Sequence, residues 1–260
     1  MPGPPKLLVT RDGPCLRITF NSPERRNAVD IDTCVRFREA VEEAAKDDSR
    51  VVILTGAGSE AFCSGADLKA GASFERDVTH FLRTVTNPTI LALRQMPKPV
   101  IARVNGIAAG AGCNYALAAD LRIAVESARF SQAFVRIGLV PDGGSSYFLP
   151  RLVGYARAFE MVALGEPVDA LEALSLGLVN RVVPAARLDA VVDEWAARLA
   201  ASPALAVAGI KRALSFGDSH SLAEALDCEA VAQKACFESD DFREGVAAFL
   251  EKRAPRFQGR

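Results

Sequence analysis

The sequence predicts an α/β protein whose strands are joined by crossover helices and whose last third is helical. Three observations point there. Short, continuous apolar runs, residues 51–55 and Val100–Val104, are followed by turn residues and read as strands buried on both faces. Up to residue 125 the order is strand, strand, helix, then strand and helix twice, then strand, which argues for crossover connections. From Gly154 onward almost every segment reads as helix, with residues 182–184 the only strand-like interruption.

Taken in order, residues 7–11 and Cys15–Phe20 flank Asp12-Gly13-Pro14 and predict a hairpin. Asp30 or Asp32 is placed to cap a helix that runs to about Lys46. The run 51–55 opens into a small-residue loop and then a short helix. Residues 74–95 read as helix with a kink or break near Asn87-Pro88, and Pro97-Lys-Pro99 stops it. Val100–Val104 ends at the turn pair Asn105-Gly106 and leads to a helix of small residues. Leu121–Val125 reads as a strand and residues 145–152 as a helix. Helices over 170–176, Leu188–Ala200, 203–215, 221–239 and 241–252 complete the chain.

Composition narrows the functional classes. The chain has 260 residues, half of them hydrophobic, and a formal net charge of −1, which gives no basic patch for nucleic acid. No run of 18 apolar residues is present to span a membrane. The start, Met-Pro-Gly-Pro-Pro-Lys, lacks the apolar core of a signal peptide, so a cytoplasmic protein is expected. The six cysteines form no C-x-x-C pair and have no histidine at metal-ligand spacing; they read as buried small hydrophobes, and no metal site is expected. Only two histidines exist, His80 in a polar helical stretch and His220 beside a turn, and neither sits in a stretch that looks like a site.

Three stretches are unusual. In Val104-Asn-Gly-Ile-Ala-Ala-Gly-Ala-Gly-Cys113 the helix after the turn begins with nothing larger than alanine. Such a run serves close packing, or it exposes helix N-terminal N–H groups to a ligand oxygen. Ala61-Phe-Cys-Ser-Gly-Ala-Asp-Leu68 repeats the arrangement, and two such loops facing one another supply one N–H each to a single oxygen. Gly138-Leu-Val-Pro-Asp-Gly-Gly144 is strong turn chemistry. Asp142 within it is a turn or cap residue, or, among apolar neighbours, a half-buried carboxylate with a raised pKa suited to a base. Arg25 and Arg26 are solvated charges or contacts for a phosphorylated ligand.

Together with Pro23-Glu-Arg-Arg-Asn-Ala28 and Phe249-Leu-Glu-Lys-Arg253, these stretches resemble the crotonase superfamily of enoyl-CoA hydratases and isomerases over nearly the whole chain. The resemblance implies a crotonase spiral of ββα units in residues 1–195, carrying the acyl-CoA site. It implies a C-terminal helical oligomerisation region in 196–260, assembled as a homotrimer or a dimer of trimers. A CoA thioester is then the substrate and no cofactor is needed. The amides of Ala66 and Ala111 match the oxyanion hole. Ser64, Ala66 and Leu68 match main-chain contacts to the CoA adenine, and Phe249 and Lys252 match residues that reach the CoA from a neighbouring helix or subunit. Arg25, Asp67, Gly110, Asn114 and Phe134 complete the expected substrate site.

The departures from that pattern are informative. Two glutamates that handle water in typical hydratases of the family are replaced here by Asn114 and Phe134, neither of which moves a proton. Asp142 falls where certain isomerases place a single acid, and residues 133–142 and 251–260 look much like the phenylacetate-pathway ring-epoxide isomerases. The expectation is an acyl-CoA isomerase with Asp142 as proton shuttle and Ala66 and Ala111 as oxyanion hole. The alternatives are a hydratase or thioester hydrolase using Asp142 and Asn114, and a non-catalytic acyl-CoA-binding scaffold.

Overall fold

The computed structural model describes residues 4–68 and 77–260. The chain opens with the antiparallel pair β1 (Leu7–Asp12) and β2 (Cys15–Phe20) around Gly13. Helix α1 (Ile31–Ala44) is capped by Asp30, whose carboxylate accepts the Thr33 N–H at 2.9 Å. Its buried side, Cys34, Phe37, Val41 and Ala44, repeats every three or four residues, so one stripe faces the sheet. Strand β3 (Val51–Gly56) is buried at every position, as its continuous apolar run requires.

Next come β4 (Ala61–Cys63), α2 (Val78–Phe81), a π-helical turn over Leu82–Thr86 and α3 (Asn87–Gln95). The kink or break expected at Asn87-Pro88 is instead this wide turn, and the backbone stays right-handed helical through Asn87. Pro88 has no N–H for the Thr84 carbonyl four residues back, and the Arg38 guanidinium supplies that donor at 2.8 Å. The short helix expected after the loop 56–68 lies outside the described residues.

Strands β5 (Val100–Val104), β6 (Ile107–Ala109), β7 (Leu121–Val125) and β8 (Arg129–Ser131), helices α4 (Ala111–Ala118) and α5 (Ser145–Val153), and later β9 (Val168–Asp169) and β10 (Arg181–Val183) complete two sheets. The larger has the order β1-β2-β3-β5-β7-β10 and is parallel beyond the first hairpin; the smaller has the order β4-β6-β8-β9. In the three units that begin with β3, β5 and β7, one strand joins the larger sheet and the next, very short, strand joins the smaller one before a helix begins. Buried Asn105 stitches the corner: its amide donates to the carbonyls of Gly58 and Ala61, and its oxygen accepts the Gly56 N–H. Four short strands therefore exist where turns and helix were expected, β9 among them, so residues 182–184 are not the only strand after Gly154. They are held by pairing with distant neighbours rather than by any periodicity of their own.

Helices α6 (Tyr155–Leu164), α7 (Ala170–Ser175) and α8 (Leu188–Ala200) cover this body. Helix α8 runs unbroken through residues 195 and 196 and buries Leu188, Val192 and Ala196. The arm made of α9 (Ala204–Gly217), α10 (Leu222–Phe237) and α11 (Asp240–Glu251) therefore starts after it. No residue of α9 or α10 is fully buried, and Ile210, Leu214, Leu226 and Val231 are exposed. The cysteines divide: Cys34, Cys63 and Cys113 are buried in the body, whereas Cys15, at the start of β2, and Cys228 and Cys236, on the exposed α10, are only half-buried.

Candidate active site

Two main-chain segments meet where β4 ends and α4 begins. Val29 donates its N–H to Gly65 O and accepts the Asp67 N–H, both at 2.9 Å, forming a parallel bridge opposite Ala66. In an extended segment successive amides point to opposite sides, so the Ala66 N–H faces away from Val29. Ala111 is the first residue of α4, and its N–H has no acceptor within the helix. Among the described residues neither amide donates to a protein acceptor.

Gly65 brings these two amides close. Its φ is +91°, and a β-carbon there would stand 2.8 Å from Ala109 O and 3.5 Å from Ala111 N. Only glycine allows both the conformation and the approach. On the next turn Gly110 is pinned by its N–H to Ser131 O at 2.9 Å. A β-carbon on Gly110 would lie 3.9 Å from the tip of the buried Phe134 ring. Gly65, Ala66, Gly110, Ala111 and Phe134 thus form one small cluster, with N–H donors on one side and an apolar ring beside them.

Helix α4 is polarised to serve that cluster. Its negative end meets Arg122, a buried cation whose Nη1 donates to Ala119 O at 2.7 Å and whose Nε donates to Leu178 O at 2.5 Å. Burial lowers the Arg122 pKa to about 10, which leaves it charged at neutral pH. A fixed positive charge at the C-terminal end complements the helix dipole.

Asp142 lies in the turn before α5, next to α4. A β-carbon on Gly143 would lie 3.3 Å from Asn114 Cβ. The Asp142 carbonyl accepts Asn114 Nδ2 at 2.9 Å and Ser145 N at 3.0 Å, while Asn114 Oδ1 accepts Gln132 Nε2 at 2.9 Å. Carboxylate oxygen Oδ1 of Asp142 is buried and has no hydrogen-bond partner among the described residues. Burial therefore raises the carboxyl pKa, offset in part by its own main-chain N–H. The ionisable groups that feel its charge are Cys34 and Tyr115, both pushed up by burial and so neutral at pH 7.

The other expected site residues divide. Arg25 is not a bare phosphate contact: its Nη2 donates to Asp67 Oδ1 at 2.7 Å, and the Asp67 carboxylate is nearly buried. Ser64 donates its N–H to Arg26 O at 3.1 Å, and Leu68 is exposed beyond the loop. Asn114 is wholly buried, with both ends of its amide in use, so it holds the Asp142 turn rather than offering itself to water. Phe249 and Lys252 stand at the end of α11, and Phe249 is 82% exposed on a groove with Pro203, Phe242 and Phe257. Within one chain that groove is separate from the Gly65–Gly110–Phe134 cluster.

Gln132 was not anticipated. It is fully buried, between Phe130 and Phe134 at alternate positions. One polar residue between two phenylalanines, just past the end of β8, is the signal that marks it.

Comparison with known proteins identifies the family and the fold. The family model for enoyl-CoA hydratase/isomerase matches residues 11–260. The chain belongs to the enoyl-CoA hydratase/isomerase family. This family member is 45% identical over 243 residues, 94% of each chain, to a probable enoyl-CoA hydratase of Rhodobacter capsulatus. It is 37% identical to the 1,2-epoxyphenylacetyl-CoA isomerase of Escherichia coli, covering 94% of this chain and 95% of that one. Its fold superposes on the enoyl-CoA hydratase structure from Bacillus anthracis with a TM-score of 0.93, at 35% identity, covering 98% of this chain and 100% of the other. The crotonase architecture expected from the motifs is thus present.

Proposed function

We propose that this family member is an acyl-CoA isomerase in which Asp142 moves the proton and the Ala66 and Ala111 amides hold the thioester oxygen. The observation that carries the reading is the unpartnered, buried Asp142 carboxylate oxygen, with no second acid at positions 114 or 134. An ionised Asp142 takes a proton from the carbon beside the thioester carbonyl of a 3-enoyl ester. The C–H electron pair enters the conjugated system and charge develops on the thioester oxygen. Two preorganised N–H groups stabilise that charge; losing one such donor typically costs roughly 3–4 kcal/mol of transition-state stabilisation. Asp142, now protonated, returns the proton two carbons along, and the double bond moves into conjugation. One carboxyl suffices because it is base and then acid. No cofactor is required, since the thioester itself is the electron sink.

The same demand, charge moving onto the thioester oxygen, suits rearrangement of a ring epoxide. Similarity to the Escherichia coli isomerase supports an aryl ester as one candidate substrate. The Phe134 ring beside Gly110 keeps water from such an intermediate.

A hydratase or thioester hydrolase is the second reading, favoured by the name of the Rhodobacter capsulatus relative. It requires Asp142 alone to activate water, because both ends of the Asn114 amide are engaged. Turnover of 3-enoyl, 2-enoyl and aryl CoA esters in heavy-oxygen water separates the two. An isomerase yields products of unchanged mass, whereas a hydratase or hydrolase incorporates the label. Saturable binding without turnover of any ester would identify a scaffold instead. The exposed apolar rows of α9 and α10 support assembly as a homotrimer or a dimer of trimers.

A further inference from the structure

Asp142 escapes a fate that three other aspartates of this chain share. Asp30, Asp77 and Asp169 each accept the N–H three residues on, from Thr33, His80 and Glu172, with a side-chain oxygen. This is the ordinary use of aspartate before a helix. Asp142 stands two residues ahead of the cap position, which Gly144 holds, and its main-chain oxygen takes the N–H of Ser145, the first helical residue, at 3.0 Å across two left-handed glycines, while carboxylate Oδ1 stays unpartnered among the described residues. A second donor holds the same carbonyl from the far side of the peptide. Asn114 Nδ2 donates to the same carbonyl, and Gln132 Nε2 holds the Asn114 amide in that orientation, all within a fully buried pair.

We propose that Gln132 and Asn114 are positioning residues: their amide relay fixes the Asp142 peptide so that the carbonyl caps α5 and the carboxyl is kept free for substrate. Two donors on one carbonyl oxygen hold the peptide plane from both sides. Without the Asn114 donor, the turn is free to rotate and the carboxylate can compete with its own carbonyl for the Ser145 N–H. A capping carboxylate is stabilised in its charged form and becomes a weaker base. Around the carboxyl, Cys34 of α1 and Tyr115 of α4 are the ionisable groups that feel its charge, and both are neutral. Among the described residues no charged neighbour contributes to the Asp142 shift.

The proposal rests on the isomerase reading for its consequence in catalysis, but its structural core is read in the free enzyme. Asn114→Leu removes the donor at similar volume, and Gln132→Met removes the outer link. The Asp142 carboxyl is titrated by carbon-13 NMR, with Asp142→Asn assigning the signal, and circular dichroism checks folding. In Asn114→Leu, and more weakly in Gln132→Met, the carboxyl is expected to titrate below wild type. Misplacement of this kind is expected to lower kcat by about 10–100-fold with KM little changed. The pH–rate limb governed by the carboxyl moves down with it. Wild-type titration of Asp142 in either folded variant overturns the proposal. So does the absence, in the wild-type enzyme, of scalar coupling across the Asn114–Asp142 hydrogen bond, a measurement that needs no variant. Inactivity of the wild type on every ester would sink the isomerase reading and leave these measurements standing.

Discussion

Gly65 and Ala111 approach closely across the gap between β4 and α4: a β-carbon on Gly65 would sit 3.5 Å from the Ala111 nitrogen and 2.8 Å from Ala109 O. This approach fixes how near the Ala66 and Ala111 amides come to one another. Gly65→Ala must therefore strain a left-handed backbone and push the two segments apart. We expect a loss of about 1–3 kcal/mol in stability and a fall in kcat of roughly 100-fold. Denaturant unfolding and steady-state kinetics check this, and an unchanged kcat in the folded variant would contradict a shared oxygen site.

The half-buried Asp142 carboxyl, with Oδ1 out of contact with solvent, destabilises the fold in its charged form. Its pKa is raised in the native state, so the native state holds the proton more tightly than the unfolded chain does. Stability is fully retained below the ordinary carboxylate range and is lost as pH rises through the raised native value. Asp142→Asn carries no such penalty. Its thermal midpoint should match wild type near pH 4 and exceed it at neutral pH. A gap that is constant across this range would mean that the carboxyl is not desolvated.

Arg122 ties α4 to the chain around Leu178 through carbonyl oxygens alone. Arg122→Met leaves those buried acceptors without donors and should cost about 2–3 kcal/mol. Arg122→Lys should recover only part, because one ammonium does not reproduce the planar fork. Urea midpoints of the two variants decide this; equal midpoints for wild type and the methionine variant would refute it.

Much of this design is legible in the residues themselves. Long apolar runs give β3 and β5, capping and periodicity give α1 and the late helices, and the small-residue loops at 61–68 and 104–113 announce close backbone approach. The strands β4, β6, β8 and β9 are not legible, because two or three residues carry no periodicity and are held by partners far along the chain. The π-helical turn before Pro88 depends on Arg38 reaching Thr84 from another helix. At Asp142 the sequence leaves both cap and base open, the cap being the commoner use of aspartate before a glycine pair. What decides between them is Asn114 and Gln132, residues 28 and 10 positions earlier, and only the folded chain brings them together.

The central claim is that one buried carboxyl ferries the proton while two amides hold the enolate. Its most direct test is turnover of a 3-enoyl CoA ester by Asp142→Asn beside wild type, with binding of the ester measured in parallel. The account predicts binding within a few-fold of wild type and a kcat lower by about 10²–10⁴-fold, the usual worth of a positioned acid–base group. Isomerisation by the folded variant at the wild-type rate would contradict it.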